Sequence, residues 1–484
     1  MRKSRDSNVF RGSSSTVTQE VARSLTDLNS MHIPTEVQQK VTTCLLDCLS
    51  CSFDSLTVPW RTALDRYIVD RSGIAQARHW GTGGLVSAED AAFGNSALAH
   101  SLIRDDVHVS SSTHIGVLVL PAVLALAERE RWSGKAVVRG IVAGYEMAIA
   151  LGSVIQDLGA AKHFRPSGVN GAFGAVSGAI AAAELDEPTA VSALGFAVNA
   201  VSGFNEWPWS GGEEVYVHTA VAARSGVLAF DLARSGLRSS ASALDGRDGL
   251  FQALGAASGP QLMFERLRAV RRDGPSGLQH VRHKPYSGCN YIQSPIAAAL
   301  EVRRNVVDRV QQISAVTIGT SRRARDYPGC NNRGPFTRLQ QSKMSMQYAV
   351  ASALVCGRVD EQTYTRYSDP AIVDLAARCR IEIDPSIEAA ARSRSSDKQP
   401  ARVQVQFSDG ETVTASVDDV PWLDASSVEL RFRHAAAGAL EPDRIDRIVE
   451  LVSHLGELED CAALSAAVAG PKRPGGSRAG HTCR

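Results

Sequence analysis

Residues 100–128 have the sequence HSLIRDDVHVSSSTHIGVLVLPAVLALAE, and this stretch decides how the rest of the chain is interpreted. Its second half, 117–128, is an almost unbroken apolar run whose length favours a buried helix over a strand. Its first half is polar and lies between apolar segments, where helices end. Adjacent acids and histidines there could transfer protons or bind a polar substrate; a solvated loop or a helix cap is the alternative. The candidates are Asp105, Asp106, His108 and His114.

Outward from this stretch, the chain has helical periodicity from about residue 16 to 270. Thr35 with Gln38 matches a capping box, and Ser133 is placed to cap a helix over 135–151. The segment 168–185 is rich in Gly, Ala and Ser, so neighbouring helices can approach it closely, but tertiary packing must hold it because its glycines and serines lower helix propensity. Further helices are predicted over 188–204 and 215–235.

The pattern changes after Gly274-Pro275. Residues 313–318 are β-like, and alternation on both sides of Asp409-Gly410 predicts a hairpin over 403–417. Helices are predicted at 345–356, at 370–379 and within 425–468. The expected fold is mainly α, a large all-helical domain plus a smaller α+β lid domain. The predicted boundaries are a disordered tail at 1–15, the helical domain at 16–274, the lid at 275–418, a helical return segment at 419–469 and a second disordered tail at 470–484.

The composition sets limits on partners and location. Among 484 residues, 52 Lys and Arg balance 51 Asp and Glu, so nothing indicates a nucleic acid or an anionic membrane. Apolar stretches are interrupted before the roughly 18 residues of a spanning helix, and no secretory signal is evident. We expect a cytoplasmic protein; a mitochondrial presequence is the alternative for the Arg- and Ser-rich start. Nine scattered cysteines favour a reducing compartment.

Three cysteines, Cys44, Cys48 and Cys51, have the spacing of a radical-type iron–sulfur loop. They fall inside a predicted helix, however, and spacings of four and three place them on one helical face. Because cysteine is a common buried hydrophobe, we predict that they belong to the core.

Other polar candidates lie farther along the chain. Arg165 precedes the Gly-rich helix, where the guanidinium and the backbone N–H groups favour a carboxylate; a surface arginine is the alternative. Lys284 and Tyr286 stand at the predicted domain junction, a frequent position for ligand clefts, although a linker with a snorkelling lysine has the same pattern. His218 lies on an apolar helix, where a satisfied core histidine is the more common case. Gly168, Gly171 and Gly174 lack the dinucleotide-binding spacing.

Taken in order, these motifs resemble the MmgE/PrpD superfamily of cofactor-independent lyases, and most of all its cis-aconitate decarboxylase type. The resemblance rests on 100–128, on Phe164 to Gly174, on Lys284-Pro-Tyr286 with Cys289 and Tyr291, and on 456–461. It covers about residues 17 to 470, and the order and spacing of the motifs carry it rather than any single one.

This resemblance implies a helical domain with an α+β lid, usually as a homodimer, and elimination chemistry on small polycarboxylates without metal or organic cofactor. His114, Asp105, Asp106 and Lys284 match family positions. Five positions depart from the pattern. Apolar Ile103 and Val107 replace an Asp and a Thr, Arg165 replaces a His, Val215 replaces a substrate-binding Lys, and Cys330 falls where the family has a catalytic Tyr, with Tyr327 nearby.

Three hypotheses follow. The first is a decarboxylase or dehydratase acting on a carboxylate less charged than cis-aconitate, with His114 transferring protons, Arg165 and Lys284 anchoring carboxylates, and Asp105 and Asp106 orienting His114 or holding the loop. The second is an isomerase or cyclase of specialised metabolism on the same fold, and the third is a non-catalytic homologue. The substrate-binding set is completed by His108, His218, Tyr286 and Tyr327. We expect a small-molecule carboxylate as the ligand and no metal, cofactor, nucleic acid or membrane.

Overall fold

The structure is a computed structural model that describes residues 15–71, 73–159, 163–393 and 397–470. The tails predicted at 1–15 and 470–484 lie almost entirely outside these ranges. Helices dominate the described part, and this confirms the predicted mainly-α class. The helices are α1 Val17–Ser30, α2 Thr35–Asp54, α3 Arg61–Asp70, α4 Ala88–His100, α5 Gly116–Glu130, α6 Gly134–Leu158, α7 Pro166–Ala183, α8 Glu187–Val198, α9 Trp207–Ser210, α10 Glu214–Arg234, α11 Leu250–Ala253, α12 Gly259–Asp273, α13 Gln293–Arg304, α14 Arg322–Asp326, α15 Leu339–Met344, α16 Met346–Cys356, α17 Glu361–Thr365, α18 Pro370–Ala377, α19 Pro385–Ser393, α20 Ala425–Ala437, α21 Pro442–Ser453 and α22 Ala462–Val468.

The strands of the described residues form three small sheets. They are β1 Ala77–Arg78, β2 Leu85–Val86, β3 Val107–His108, β4 Val281–Arg282, β5 Ile313–Thr320, β6 Cys379–Ile383, β7 Ala401–Phe407 and β8 Thr412–Val417. The largest sheet has the order β6-β5-β7-β8, with β5 and β6 parallel and the other pairs antiparallel. The predicted hairpin is confirmed, since Val403 pairs with Ala415 and Val405 with Val413. The helix predicted at 370–379 is present as α18, and the parallel strand β6, which was not predicted, begins at its last predicted residue, Cys379.

Helix starts follow the capping signals with one exception. The Ser133 hydroxyl accepts the N–H of Ala136 at the start of α6, as predicted. Thr35, in contrast, is the first residue of α2 rather than its cap. Pro34 holds the cap position, and the Gln38 side chain donates to the carbonyl of Ile33 at 2.9 Å instead of closing a capping box.

The glycines of α6 and α7 let these two helices touch backbone to backbone. A β-carbon built on Gly140 would lie 2.7 Å from the carbonyl oxygen of Gly178, and one built on Gly178 would lie 2.8 Å from that of Gly140. One turn along, a β-carbon on Gly144 would meet the carbonyl of Gly174 at 2.9 Å. The helix predicted to be held by close packing is therefore held in this way, and its N-terminus is fixed at the site described below.

A Gly140→Val substitution should destabilise the protein by about 1–3 kcal/mol or more, because the new side chain must push two helix backbones apart. Helix propensity alone would favour valine over glycine, so the expected loss of stability comes only from packing. The measurement is the free energy of unfolding in urea. Lys135→Val, on an exposed position of the same helix, is the matched control and should change stability by less than about 0.5 kcal/mol. Equal losses in both variants would contradict the packing account.

One helix corrects an expectation from the sequence. Helix α6 has the length and apolar composition of a membrane span, and α2 with α3 would qualify as a bent pair. Glycines and a few charged residues, Arg139 and Glu146 among them, interrupt the apolar run of α6, but its average hydropathy still reaches that of a membrane span. In α6, 89% of the apolar window is buried inside the structure, mainly against α7. Burial to this extent is typical of a helix in a protein core.

Candidate active site

The pairing of β3 with β4 brings together two segments that are far apart in the sequence. Residues 107–108 pair antiparallel with 281–282, which places the loop between α4 and α5 beside the segment that leads into α13. The N–H of Gly288 donates to the carbonyl of Leu102 at 3.0 Å and strengthens this junction. The start of α7 joins the same place, because the N–H of His114 donates to the Ser167 hydroxyl at 3.1 Å.

Asp105 is the centre of the polar cluster. One of its carboxylate oxygens lies 2.8 Å from Nδ1 of His100 and the other 2.9 Å from Nδ1 of His114. Burial alone would raise the pKa of Asp105, but the two imidazoles that face it hold that pKa well below its usual value. The carboxylate is therefore ionised and accepts a hydrogen bond from each ring.

This arrangement fixes the tautomers of both histidines. Since Asp105 can only accept, Nδ1 of each ring carries the hydrogen. Nε2 of His100 then accepts from the guanidinium of Arg165, whereas Nε2 of His114 has no hydrogen-bond partner among the described residues and His114 lines a pocket. Burial, Lys284 and Arg165 lower the pKa of His114 to about 4. His114 is thus a neutral imidazole with an available lone pair.

Asp106, the neighbour of this carboxylate, points away from the pocket. It accepts the N–H of Gly116 at 2.8 Å and the hydroxyl of Tyr145 at 2.7 Å, and so holds the loop at the start of α5. Burial and the charge of Asp47 raise the pKa of Asp106 to about 7. Because the folded state binds this proton more tightly than the unfolded chain, the resulting stabilisation is complete below the ordinary carboxyl pKa and is lost as the pH rises through about 7.

Arg165 is buried and held from two sides. Its guanidinium donates to the carbonyl of Val215 at 2.9 Å and to Nε2 of His100, and it lies over the ring of Trp207 with 5.4 Å to the centroid. The Arg165 backbone stands at the N-cap position of α7. The predicted cation beside a helix N-terminus is therefore present, facing inward rather than on the surface.

Two buried lysines approach the same junction. The ammonium of Lys284 donates to the carbonyl of Ile103 and lies 3.5 Å from that of Gly288. Burial lowers the pKa of Lys284. Lys343, which the sequence did not single out, donates to the carbonyl of Ser101 at 2.8 Å and pairs with Glu361 at 2.8 Å. Lys284 lies behind the pocket wall and acts on His114 through its charge.

The inner pocket, defined here by its lining, lies between the helices and the sheet-bearing unit. Its volume is about 30 Å³, which is room for one or two water molecules. One wall comes from the helical part and the other from residues between 289 and 344. The lining residues are Ile103, Val107, Ser112, His114, Arg165, Pro166, Ser167, Trp207, Cys289, Asn290, Tyr291, Tyr327 and Met344.

A larger outer cleft of about 790 Å³ lies next to the inner pocket and contains neither His114 nor Arg165. His108 lines this cleft, with its Nδ1 3.0 Å from the Ser111 hydroxyl. Tyr291 lines both cavities and separates them. The chemistry is concentrated in the inner pocket, because the histidine with the available lone pair is there.

The structure thus brings together some of the predicted site residues and not others. His114, Arg165 and Tyr327 line the inner pocket, and Asp105 lies directly behind His114. His108 faces the outer cleft. His218, on α10, is half-buried and lies against Gly203. Tyr286 is half-buried in the segment that precedes α13. Neither side chain lines the inner pocket. Spacing in the sequence could not show which cavity each of these side chains would face.

Three residues of the polar cluster carry donor atoms of the kind that bind metals. One donor atom each of His100, Asp105 and His114 lie within 4.8 Å of one another. Each Asp105 oxygen already accepts a hydrogen bond from the Nδ1–H of one histidine. The positive charges of Arg165 and Lys284 would also repel a divalent cation nearby. This set therefore fits an Asp–His hydrogen-bonded group better than a metal centre.

The cysteine triplet lies in the core, as predicted. Cys44, Cys48 and Cys51 are buried within the continuous helix α2. Burial raises the pKa of Cys51 to about 12 and holds those of Cys44 and Cys48 well above their usual values. Thiolates, which a cluster requires, are disfavoured there.

The five departures from the family pattern converge on one place. Ile103, Val107 and Arg165 line the inner pocket. The carbonyl of Val215 accepts from Arg165, and the sulfur of Cys330 lies 3.7 Å from that of Cys289, which lines the pocket. Cys289 and Cys330 were missed as site residues, although their positions within the matching motifs were a usable signal. The substitutions therefore change a single pocket.

Comparisons with known proteins agree with this architecture. The MmgE/PrpD N-terminal domain model matches residues 19–263, and the C-terminal domain model matches 286–455. The cis-aconitate decarboxylase of Aspergillus terreus is 24% identical, over 96% of this chain and 97% of its own. A cis-aconitate decarboxylase-like protein of Aspergillus oryzae is 25% identical over 94% and 97%, and the human cis-aconitate decarboxylase 23% over 95% of each. These relatives support a lyase-type enzyme, and the chain belongs to the MmgE/PrpD family.

Proposed function

We propose that this protein is a cofactor-independent decarboxylase or dehydratase for a small carboxylate that is less charged than cis-aconitate. The observation that carries the proposal is the pair formed by a neutral His114, with an available Nε2, and the buried cation of Arg165 in one pocket. A base beside a carboxylate anchor is what elimination from an acid requires.

His114 is the proposed proton-transfer group. Asp105 holds its ring in the tautomer that leaves Nε2 unprotonated, and it would stabilise the imidazolium formed when a substrate proton is taken up. Arg165 would anchor one carboxylate, since its guanidinium donates in a planar, always charged geometry. Lys284 adds positive charge behind the wall without contacting the substrate.

The lining favours a less charged acid. Ile103, Val107, Trp207 and Met344 provide apolar surface, and each unmatched carboxylate against such a surface would lose charge-assisted contacts of roughly 1.5–3 kcal/mol. A substrate with one or two carboxylates and an alkyl part suits this pocket better than a tricarboxylate.

Substrate entry requires the two walls to separate. A cavity of about 30 Å³ is too small for an acid of five or six carbons. Tyr291 forms the partition towards the outer cleft, and Ser112 of the helical wall lines the same inner pocket. Displacement of Tyr291 would open the inner pocket to the larger cleft, which is the proposed entry route.

The test compares cis-aconitate with an analogue in which one carboxylate-bearing arm is replaced by an alkyl chain, in the presence and absence of EDTA. We expect EDTA-insensitive turnover, measured as CO2 release or new alkene by NMR, with the higher kcat/KM for the analogue. Preference for cis-aconitate would contradict the proposed charge of the substrate. Thermal stabilisation without either product would favour the isomerase or cyclase alternative, and neither turnover nor stabilisation would favour a non-catalytic homologue.

Arg165→Met should raise KM for the acid that is turned over by about 10- to 100-fold, the equivalent of one charge-assisted hydrogen bond. The effect on kcat should be smaller, because the anchor binds ground state and transition state alike. Arg238→Met, at an exposed position, is the matched control with unchanged KM. An unaltered KM in Arg165→Met, with folding intact by circular dichroism, would refute the anchoring role.

A further inference from the structure

The proposed reaction leaves one partner unassigned. A base that accepts a proton from one side of a substrate cannot also deliver a proton to the opposite side. The inner pocket has two walls, and His114 lies on the helical one. The other wall contains residues 289–291, Tyr327 and Met344. A group able to give up a proton on this second wall would complete the reaction.

Cys289 lies in this second wall and has a thiol that can give up a proton. Its sulfur lies 3.7 Å from the sulfur of Cys330, and its side chain lines the inner pocket, whereas Cys330 does not. The carbonyl of Cys289 is held by the Gln293 side chain and its N–H by the carbonyl of Lys343, each at 3.1 Å. The backbone of Cys289 is therefore held on both sides, and its thiol has a second thiol beside it.

We propose that the Cys289 thiol is the proton donor of the reaction, with the Cys330 thiol as the hydrogen-bond donor that stabilises the resulting thiolate. The inference rests on the proposed function, since it supplies the second proton partner of that chemistry. It adds a catalytic residue on the wall facing His114.

The step balances without an oxidant or cofactor. In a decarboxylation His114 takes the proton of the carboxyl group, the C–C bond breaks, its electron pair stays on the substrate carbon and CO2 leaves. The S–H bond of Cys289 then breaks, its proton forms the new C–H bond and the pair remains on sulfur as thiolate; water restores the thiol. In a dehydration the same proton goes to the leaving hydroxyl, which departs as water, while His114 takes the C–H proton.

The surroundings of the sulfur favour this charge change. Burial alone would raise the pKa of Cys289, but the Cys330 hydrogen bond, the N–H of Tyr291 and the charges of Lys284 and Arg165 together lower it. The pKa of Cys330, in contrast, is raised by burial and by the neighbouring thiolate. Cys289 therefore ionises first. The titratable and charged groups around it are Cys330, Lys284, Arg165, Tyr291, Tyr327, Tyr364 and Lys343.

A first experiment measures the thiolate without relying on turnover. Absorbance at 240 nm is titrated in the full chain, and the difference between wild type and Cys289→Ser isolates one thiol. We expect its midpoint below that of an ordinary cysteine, roughly 8.5, and a rise of the midpoint in Cys330→Ala, which lacks the S–H donor. Cys356→Ser, on a partly exposed and separate thiol, is the control and should leave that midpoint in place. A midpoint at or above the ordinary value would overturn the inference.

A second experiment uses the acid that the enzyme turns over. Cys289→Ser should lower kcat by about 10- to 100-fold with little change in KM, because serine is a much weaker acid at the same position. The alkaline limb of kcat, where the thiol loses its proton, should move to higher pH in Cys330→Ala. Normal kcat in Cys289→Ser with active wild type would overturn the inference and leave the proposed function standing. An inactive wild type with a low thiolate midpoint would instead overturn the proposed function, and the donor step with it.

Discussion

A His114→Gln variant should lose about 10²–10⁴ of kcat while keeping KM within a few fold, because glutamine can fill the position and hydrogen-bond Asp105 but cannot take up a proton. Steady-state kinetics on the preferred acid measures this loss. His454→Gln, on an exposed histidine at the end of α21, is the matched control and should behave like wild type. Near-wild-type kcat in His114→Gln would remove His114 from the mechanism.

The pH dependence of the wild type checks the same assignment. A base must be unprotonated to act, so kcat/KM should fall on the acid side of its pKa. Burial and the cations Lys284 and Arg165 lower the pKa of His114 to about 4. Activity should therefore stay level between pH 5 and 7 and decline only as the pH approaches 4. A decline centred near 6.5, the ordinary histidine value, would contradict this electrostatic account.

Local patterns were sufficient to predict much of the fold. The apolar run at 117–128 became the buried helix α5, and alternation around Asp409-Gly410 became the hairpin of β7 and β8. The small residues of 168–185 became the close contact of α6 and α7. In each case the information lies within one segment, because periodicity and turn chemistry act over a few residues. The parallel strand β6 was missed because its pairing with β5 is non-local.

The site was predicted less completely for the same reason. His114, Asp105 and Arg165 were singled out, but their mutual geometry depends on the pairing of β3 with β4 and on the start of α7. No spacing in the sequence could show that Asp105 holds two imidazoles, or that the Lys284 ammonium binds a backbone carbonyl. The thiol pair of Cys289 and Cys330 joins segments 41 residues apart.

The geometry also explains how two departures from the family pattern fit together. The resemblance assigns a lysine to position 215 and a histidine to position 165. Here the cation is at 165, and it donates to the carbonyl of Val215. The lysine that the resemblance places at 215 is therefore absent, and a permanent cation stands at 165, in contact with the backbone of 215. The remaining change is towards apolar surface at Ile103 and Val107, which alters what the pocket can hold beside the anchored carboxylate.

Asp105→Asn should be as damaging to turnover as the loss of His114 itself, about 10²–10⁴ in kcat. Asparagine has one acceptor and one donor where the carboxylate had two acceptors, so one of the two histidines must present a bare Nδ1 and carry its hydrogen on Nε2. His100 cannot do so, because its Nε2 faces the Arg165 guanidinium. His114 is the ring that changes, and its Nε2–H can no longer accept a proton. The measurement is kcat with KM and folding checked separately.

Two further results separate this account from simple destabilisation. The low pKa of Asp105 in the folded state means that its stabilisation is present above the ordinary carboxyl pKa and is lost as the pH falls through the folded value. The stability difference between wild type and Asp105→Asn, about 1–3 kcal/mol near neutrality, should therefore shrink as the pH is lowered. If Asp105 acts through His114, the double variant Asp105→Asn/His114→Gln should be no slower than His114→Gln alone. Multiplicative losses in the double variant would show that Asp105 has a separate role, because two residues that act as one unit cannot each be removed at full cost.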